Sequence, residues 1–347
     1  MSVKNENEEE ASGLRNLVRS LRPEKPREFD ETKPIAMWTE KGTVDGEIVD
    51  AFVLILRTRG CYWALNSGCT MCGYINDARM EPVSDENMEI QLEKALKKYR
   101  GERVVKIFTS GSFLDPNEIS PGMQVRIIRV FEGADRLIIE SLPEFVIESI
   151  LEPLKQDNLE IAIGLESASD DVLEKNVNKS FRVKDYVRAA ELMKEMGIAL
   201  KTYLLLKPPF MTEKEAIEDA KKSVLFAAKY SAEISLNPIN IQSHTLVNRL
   251  WKRGEYRPPW LWSVIDVIKA TKPEIGDVSL VSWPTAGGLR RGAHNCGKCD
   301  KEVLAAIEKF SLTQDLSVFE GLSCSCQDEW KDILDMDDAL GFEWKIV

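Results

Sequence analysis

A chain of 347 residues, 44% hydrophobic and 30% charged, is long enough to bury a large core, and no apolar run approaches the roughly 20 residues of a bilayer span. Its net charge of −11 excludes binding of nucleic acid by general surface electrostatics. The acidic start around Glu8, Glu9 and Glu10 has no apolar stretch of the signal-peptide kind, so a cytoplasmic protein without membrane contact is expected.

Residues 1–45 read as a polar arm punctuated by Pro23, Pro26 and Pro34, with one short helix around Leu14 to Leu21. From about residue 50, short β-branched runs alternate with longer amphipathic ones, the pattern of βα units on a parallel sheet. Strands are predicted at Phe52–Leu56, Val104–Phe108, Leu137–Ile139, Ile161–Leu165, Leu200–Leu206 and Ile234–Leu236. A helix is predicted over Glu86 to Tyr99. A second follows the stripe Val183, Tyr186, Val187, Ala190 and Met193 and stops at Gly197; a third runs from the Thr212/Glu215 capping box to near Tyr230.

Six strands with helix-sized connections predict an α/β fold, a partial (β/α)6 TIM-like barrel over residues 46–285 with its chemistry at the C-terminal ends of the strands. Residues 286–347 lose the alternation and carry closely spaced cysteines, the mark of a small metal-binding appendage. Lys252, Arg253, Arg257, Arg290 and Arg291 leave room for one local basic patch.

Seven cysteines are too few for a disulfide scaffold at this length, and they divide into two sets. Cys61, Cys69 and Cys72 share one loop directly after the first predicted strand. Three thiolates can hold three irons of a 4Fe–4S cubane and leave the fourth open to a small molecule. Zinc would need a fourth ligand, and neither His244 nor His294 is local to this loop. The second set, Cys296, Cys299, Cys324 and Cys326, supplies four thiolates in two close pairs. That set suits a structural zinc ion, with a second 4Fe–4S cluster as the rival.

The first loop resembles that of the radical S-adenosylmethionine (SAM) superfamily, with two departures. The usual spacing is Cys-x3-Cys-x2-Cys with an aromatic before the last cysteine; this chain has Cys-x7-Cys-x2-Cys and Met71. Longer first gaps occur in the branch that includes Elongator-type proteins. The resemblance implies a SAM-binding surface on the following turns. Ser110, Gly111 and Ser112 look like the turn that accepts the SAM amino group. Glu140 begins a segment similar to the family's Glu-x-Arg-Pro, although Leu142 stands in the arginine position. Glu166 and Ser167 resemble the turn that meets the ribose, and Lys179 would stand as the cation after Asn176 and Asn178.

From the Trp38 region to Ser311–Asp315 the chain resembles the radical SAM subunits of archaeal archaeosine formation. The matching features are Arg59-Gly-Cys61-Tyr-Trp63, the loop end Cys72-Gly-Tyr74, Ser110 to Asp115, and His294-Asn-Cys296-Gly-Lys-Cys299. That family implies a tRNA substrate, an electron donor and a partner archaeosine synthase subunit that attaches lysine to a 7-cyano-7-deazaguanine base. The radical subunit then splits the lysine C–N bond. Asn237, Asn240, Gln242 and His244 become the candidates for gripping the lysyl group. Two other readings stay open: a radical SAM tRNA-modifying enzyme of Elongator-like or methyl/methylthio-transfer chemistry, and a non-catalytic zinc and RNA-binding protein.

Overall fold

The computed structural model describes residues 13–22 and 28–340. The first described element is a helix over residues 13–20 (α1), overlapping the predicted Leu14–Leu21 helix. Strands β1 (Ala36–Val44) and β2 (Glu47–Ile55) then pair antiparallel about Asp45 and Gly46. Both turn residues have positive φ, 49° and 80°, which matches the twist of the flanking strands. The chain continues through α2 (Tyr62–Asn66), α3 (Asp85–Leu96), β3 (Val104–Phe108), α4 (Pro121–Val130), β4 (Arg136–Ser141), α5 (Glu148–Leu151) and β5 (Leu159–Glu166). It ends with α6 (Val183–Glu195), β6 (Ala199–Leu206), α7 (Glu213–Ala227), β7 (Glu233–Pro238), α8 (Leu246–Lys252), α9 (Leu261–Thr271), β8 (Ser279–Val281), α10 (Asp300–Thr313) and α11 (Cys326–Leu340).

Strands β2 to β8 are parallel, and all eight strands neighbour one another in chain order. Each new strand adds at the same edge, so the twist accumulates in one sense and curls the sheet into an open half-barrel. The six predicted strands are β2 to β7. Two more complete the sheet: the half-exposed edge strand β1, inside the stretch read as an arm, and the three-residue β8. The predicted helices stand as α3, α6 and α7. At the start of α7, Thr212 Oγ1 accepts from Glu215 N (3.2 Å) and the Glu215 carboxylate accepts from Thr212 N (2.9 Å).

The main core lies between the sheet and the helices. Leu54, Ile107, Ile139, Ile161, Leu204 and Leu236 are fully buried there against Met88, Ile127, Tyr186, Val224 and Ile268. Each such side chain contributes roughly 1.5–3 kcal/mol. Val303, Ile307 and Phe310 of α10 join the same core, as do Cys299 and Cys326. The segment read as an appendage is therefore packed into the barrel wall.

Near the N-terminal ends of the strands the sheet carries charges. Arg136 bridges Glu160 (2.6 Å) and Glu233 (3.2 Å), and Lys201 meets Glu233 at 2.6 Å. Burial pushes the Glu233 carboxyl up, but Lys201 and Arg136 outweigh it and hold it down at about 2. Among the described residues no helix is long and apolar enough to cross a membrane.

Candidate active site

The cysteine loop leaves the C-terminal end of β2 and is held on several sides. Cys61 N donates to Ser110 O (3.2 Å), which ties the loop to the turn after β3. The segment after β5 forms a second wall: Thr70 N donates to Val177 O (2.9 Å), and Asn178 Nδ2 donates to Gly68 O (2.7 Å) and Ser67 Oγ (2.9 Å). The far end meets the β7 loop, where Gln242 Oε1 accepts from Gly73 N and Ser243 O accepts from Asn76 Nδ2 (2.9 Å). Arg22, just beyond α1, donates to the carbonyls of Ser67, Cys69 and Cys72.

Burial pushes the Cys61 and Cys69 thiols up to about 12, and the Cys72 thiol also rises. Cys61 is raised further by Cys69 and Cys72, and Cys69 by Cys72, while Glu166 adds to the rise at Cys69 and Cys72. Lys179 and Arg22 act in the opposite sense on Cys69 and Cys72. Three desolvated thiols of one loop, with cations nearby, are a donor set that gains when cationic irons replace protons. The set fits a 4Fe–4S cluster with one iron left for another ligand.

The turn after β3 is packed against this loop. A Cβ on Gly111 would lie 2.6 Å from Cys61 N, 2.7 Å from Cys61 Cα and 2.1 Å from Glu118 Oε2, so only glycine allows the approach. Glu118 is buried, accepts from Ser112 N (2.6 Å) and from Thr58 Oγ1, and is pushed up to about 7 by desolvation. It links the two turns and was not singled out in the sequence, because its partner Thr58 comes from a different loop. Ser112 Oγ pairs with Ser141 Oγ (2.9 Å) and accepts from Leu142 N (3.2 Å). Among the described residues only Ser110, of the two serines, keeps its hydroxyl without a protein partner.

Glu140 is likewise pushed up to about 7 by desolvation, opposed by a hydrogen bond with Tyr203 and by Lys201. Glu166, at φ 69° beside an irregularity in the β5–β6 pairing, meets Lys179 Nζ at 2.8 Å. Burial would lower Lys179, but Glu166 and the nearby cysteines raise it, so it stays charged. Ser167 is fully buried and donates to Asp219 of α7 (2.8 Å), which turns its hydroxyl toward the helix layer.

Along the β7 end, Asn237 Oδ1 accepts from Ser235 Oγ (3.0 Å) and Asn240 Oδ1 accepts from Gln242 Nε2 (3.3 Å). His244 is exposed at φ 58°. Of the basic residues read as a patch, Arg257 stacks on Trp260 (4.0 Å) and donates to His294 O (2.8 Å). Arg291 stacks on Trp251 (4.8 Å) and donates to Ile241 O (2.8 Å). Both hold loops together; Lys252, Arg253 and Arg290 are exposed.

The second cysteine set converges. Cys296 and Cys324 sulfurs are 3.7 Å apart, as are those of Cys299 and Cys326, and all four lie within 4.8 Å of one another. Trp262 Nε1 donates to the Cys326 sulfur (3.3 Å) and Asn295 Nδ2 to that of Cys299 (3.4 Å). The backbone N–H of Lys298 leads the interactions that draw the Cys296 thiol down to about 7. Such donors favour thiolate over thiol.

Residues 55–222 match the radical SAM superfamily. The archaeosine synthase subunit beta of Methanosarcina acetivorans is 40% identical over 88% of this chain and 91% of its own length. That of Thermococcus kodakarensis is 38% identical over 89% and 98%. Among solved structures, methylornithine synthase (PylB) aligns over 96% of this chain and 94% of its own, at 13% identity and a TM-score of 0.47.

Proposed function

The chain belongs to the family of archaeosine synthase beta subunits within the radical SAM superfamily, and from that premise we propose that it performs the radical step of archaeosine formation in tRNA. In this reading a partner subunit attaches lysine to the 7-cyano-7-deazaguanine base. This chain then splits the C–N bond of that lysine and leaves the amidine.

Cys61, Cys69 and Cys72 would hold the cluster. When bound and given one electron by a donor, the cluster with SAM supplies a 5′-deoxyadenosyl radical able to take a hydrogen atom from a C–H bond. The chain's own residues do the rest by orientation and exclusion of water. The close approach that Gly111 permits and the unengaged Ser110 hydroxyl suit the amino-acid end of SAM. Glu140, near its midpoint at neutral pH, can donate or accept a hydrogen bond. The Glu166–Lys179 pair offers both an acceptor and a cation beside the thiols. Ser112 and Ser167 contribute by shaping their turns, since their hydroxyls and backbone N–H groups are engaged within the protein. Asn237, Asn240 and His244 are the candidates for the lysyl group, while Gln242 holds the cysteine loop.

For the second set we favour zinc. Zinc–sulfur bonds of about 2.3 Å in a tetrahedron put sulfurs about 3.8 Å apart, close to the 3.7 Å separations here. A cubane places each cysteine on its own iron and spreads the sulfurs wider. The net charge of −11 favours a partner that brings most of the RNA contacts.

The observation that carries this reading is the half-buried three-thiol loop at the C-terminal ends of the strands, in a chain that matches the beta subunits nearly end to end. The test is incubation with lysine-adducted tRNA, SAM and reductant, with and without the lysine-transferring subunit, followed by nucleoside mass spectrometry. Archaeosine and 5′-deoxyadenosine should appear together and vanish in Cys69→Ala. Archaeosine formed without SAM would refute the reading.

A further inference from the structure

Helix α1 is anchored by its own side chains. Leu14 and Val18 are buried against Leu246 of α8, with Leu21, Phe210 and Leu250 alongside. The helix touches the cysteine loop through Arg15: Ser67 Oγ donates to Arg15 O (3.1 Å), and the Arg15 guanidinium lies 5.6 Å from the centre of the Trp63 ring. Arg22 then uses three separate nitrogens. Nε donates to Ser67 O (3.3 Å), Nη2 to Cys69 O (2.9 Å) and Nη1 to Cys72 O. Gly68, at φ +99°, makes the space, because a Cβ there would stand 2.2 Å from Nη2. All three bonds go to carbonyls, so among the described residues the guanidinium charge is not neutralised by an ion pair.

We propose that Arg22 is a positioning residue that fixes the cysteine loop and sets the electrical potential its sulfurs experience, with α1 as the strap that carries it across the barrel mouth. This rests on the reading of Cys61, Cys69 and Cys72 as cluster ligands. The planar fork is what the task requires, since a guanidinium reaches three carbonyls from three separate nitrogens, whereas an ammonium must reach them from one. Those carbonyls belong to two of the three cysteines and to the residue opening their stretch, so the fork fixes the loop's spacing. An unneutralised positive charge behind the sulfurs also favours any added electron there.

The test uses the full chain, reconstituted anaerobically with iron and sulfide, as wild type and as Arg22→Ala, Arg22→Lys and Val18→Asp. Two quantities are read: the rate at which a chelator strips iron, and the ratio of reduced to oxidised cluster at a fixed poise by electron paramagnetic resonance. Arg22→Ala should release iron at least ~10-fold faster, given three lost bonds from a charged donor. Its reduced-to-oxidised ratio should fall about tenfold, or about 59 mV for a one-electron couple. Arg22→Lys keeps the charge and hence the ratio, yet sheds iron as fast as the alanine variant. Val18→Asp unseats α1 without altering Arg22, so it too should release iron faster, and it gives the answer where Arg22→Ala fails to fold. Wild-type release and ratio in Arg22→Ala, or wild-type release in Val18→Asp where the alanine variant does not fold, would overturn the proposal. A wild-type chain that assembles no reducible 4Fe–4S signal overturns instead the ligand reading beneath it.

Discussion

Gly111→Ala is the most direct probe of how tightly the two turns at the barrel mouth are joined. The new methyl would sit 2.6 Å from Cys61 N and 2.1 Å from Glu118 Oε2, against an ordinary contact of 3.4 Å, so gaps of 0.8 Å and 1.3 Å must open. Neither neighbour yields freely. Cys61 N is bonded to Ser110 O, and Glu118 is bonded to Ser112 N and Thr58. Overpacking of this kind costs about 1–3 kcal/mol, and loss of the Glu118–Ser112 bond adds about 1 kcal/mol. A total of about 3 kcal/mol should lower the melting temperature by ~4 °C for a chain of this size. Gly122→Ala is the matched control, because that glycine lies in α4 with nothing within 4 Å of a Cβ, and alanine there should be neutral or slightly stabilising. Urea unfolding and iron content after reconstitution measure the two variants side by side. If Gly111→Ala matches Gly122→Ala in both, the close approach of the two turns is not real.

Cys299→Ser should cost stability through metal, on the order of several kcal/mol, with loss of one zinc per chain by elemental analysis; iron in place of zinc would mean a second cluster. Glu233→Gln leaves Lys201 and Arg136 short of a partner and should cost about 3 kcal/mol at neutral pH. Because the Glu233 carboxyl is held at about 2 rather than its ordinary 4.5, its contribution is complete above pH 4.5 and is lost as pH falls toward 2. The gap between wild type and variant in urea melts should therefore close between pH 4.5 and 2; a constant gap would show that the charge is not its source.

Six of the eight described strands could be read from the sequence because each contains a short buried apolar run that alternates with helix-sized connections. β1 escaped because Thr39, Lys41 and Gly42 interrupt the apolar pattern on both of its faces, although Asp45-Gly46 was the available turn signal. β8 is too short to show any period. The cysteine loop was legible from spacing alone. Its supports were not: Arg22, Glu118, Asn178 and Gln242 reach it from far along the chain, and one sequence carries no record of such pairings. Local motif reading also cannot tell which way a hydroxyl points, which is why Ser112 and Ser167 looked equivalent to Ser110.

The distance along the chain between the loop and its supports has a consequence for biosynthesis. As Cys72 leaves the ribosome, only Arg22 among those supports has been made. Gln242, which closes on Gly73, follows 169 residues later. At about 5–20 residues per second that interval is roughly 10–30 s, during which the thiols hang on an unfinished barrel. Iron and sulfide delivered then would meet three cysteines without fixed spacing. On the reading of these cysteines as cluster ligands, metal loading therefore belongs to the nearly completed chain.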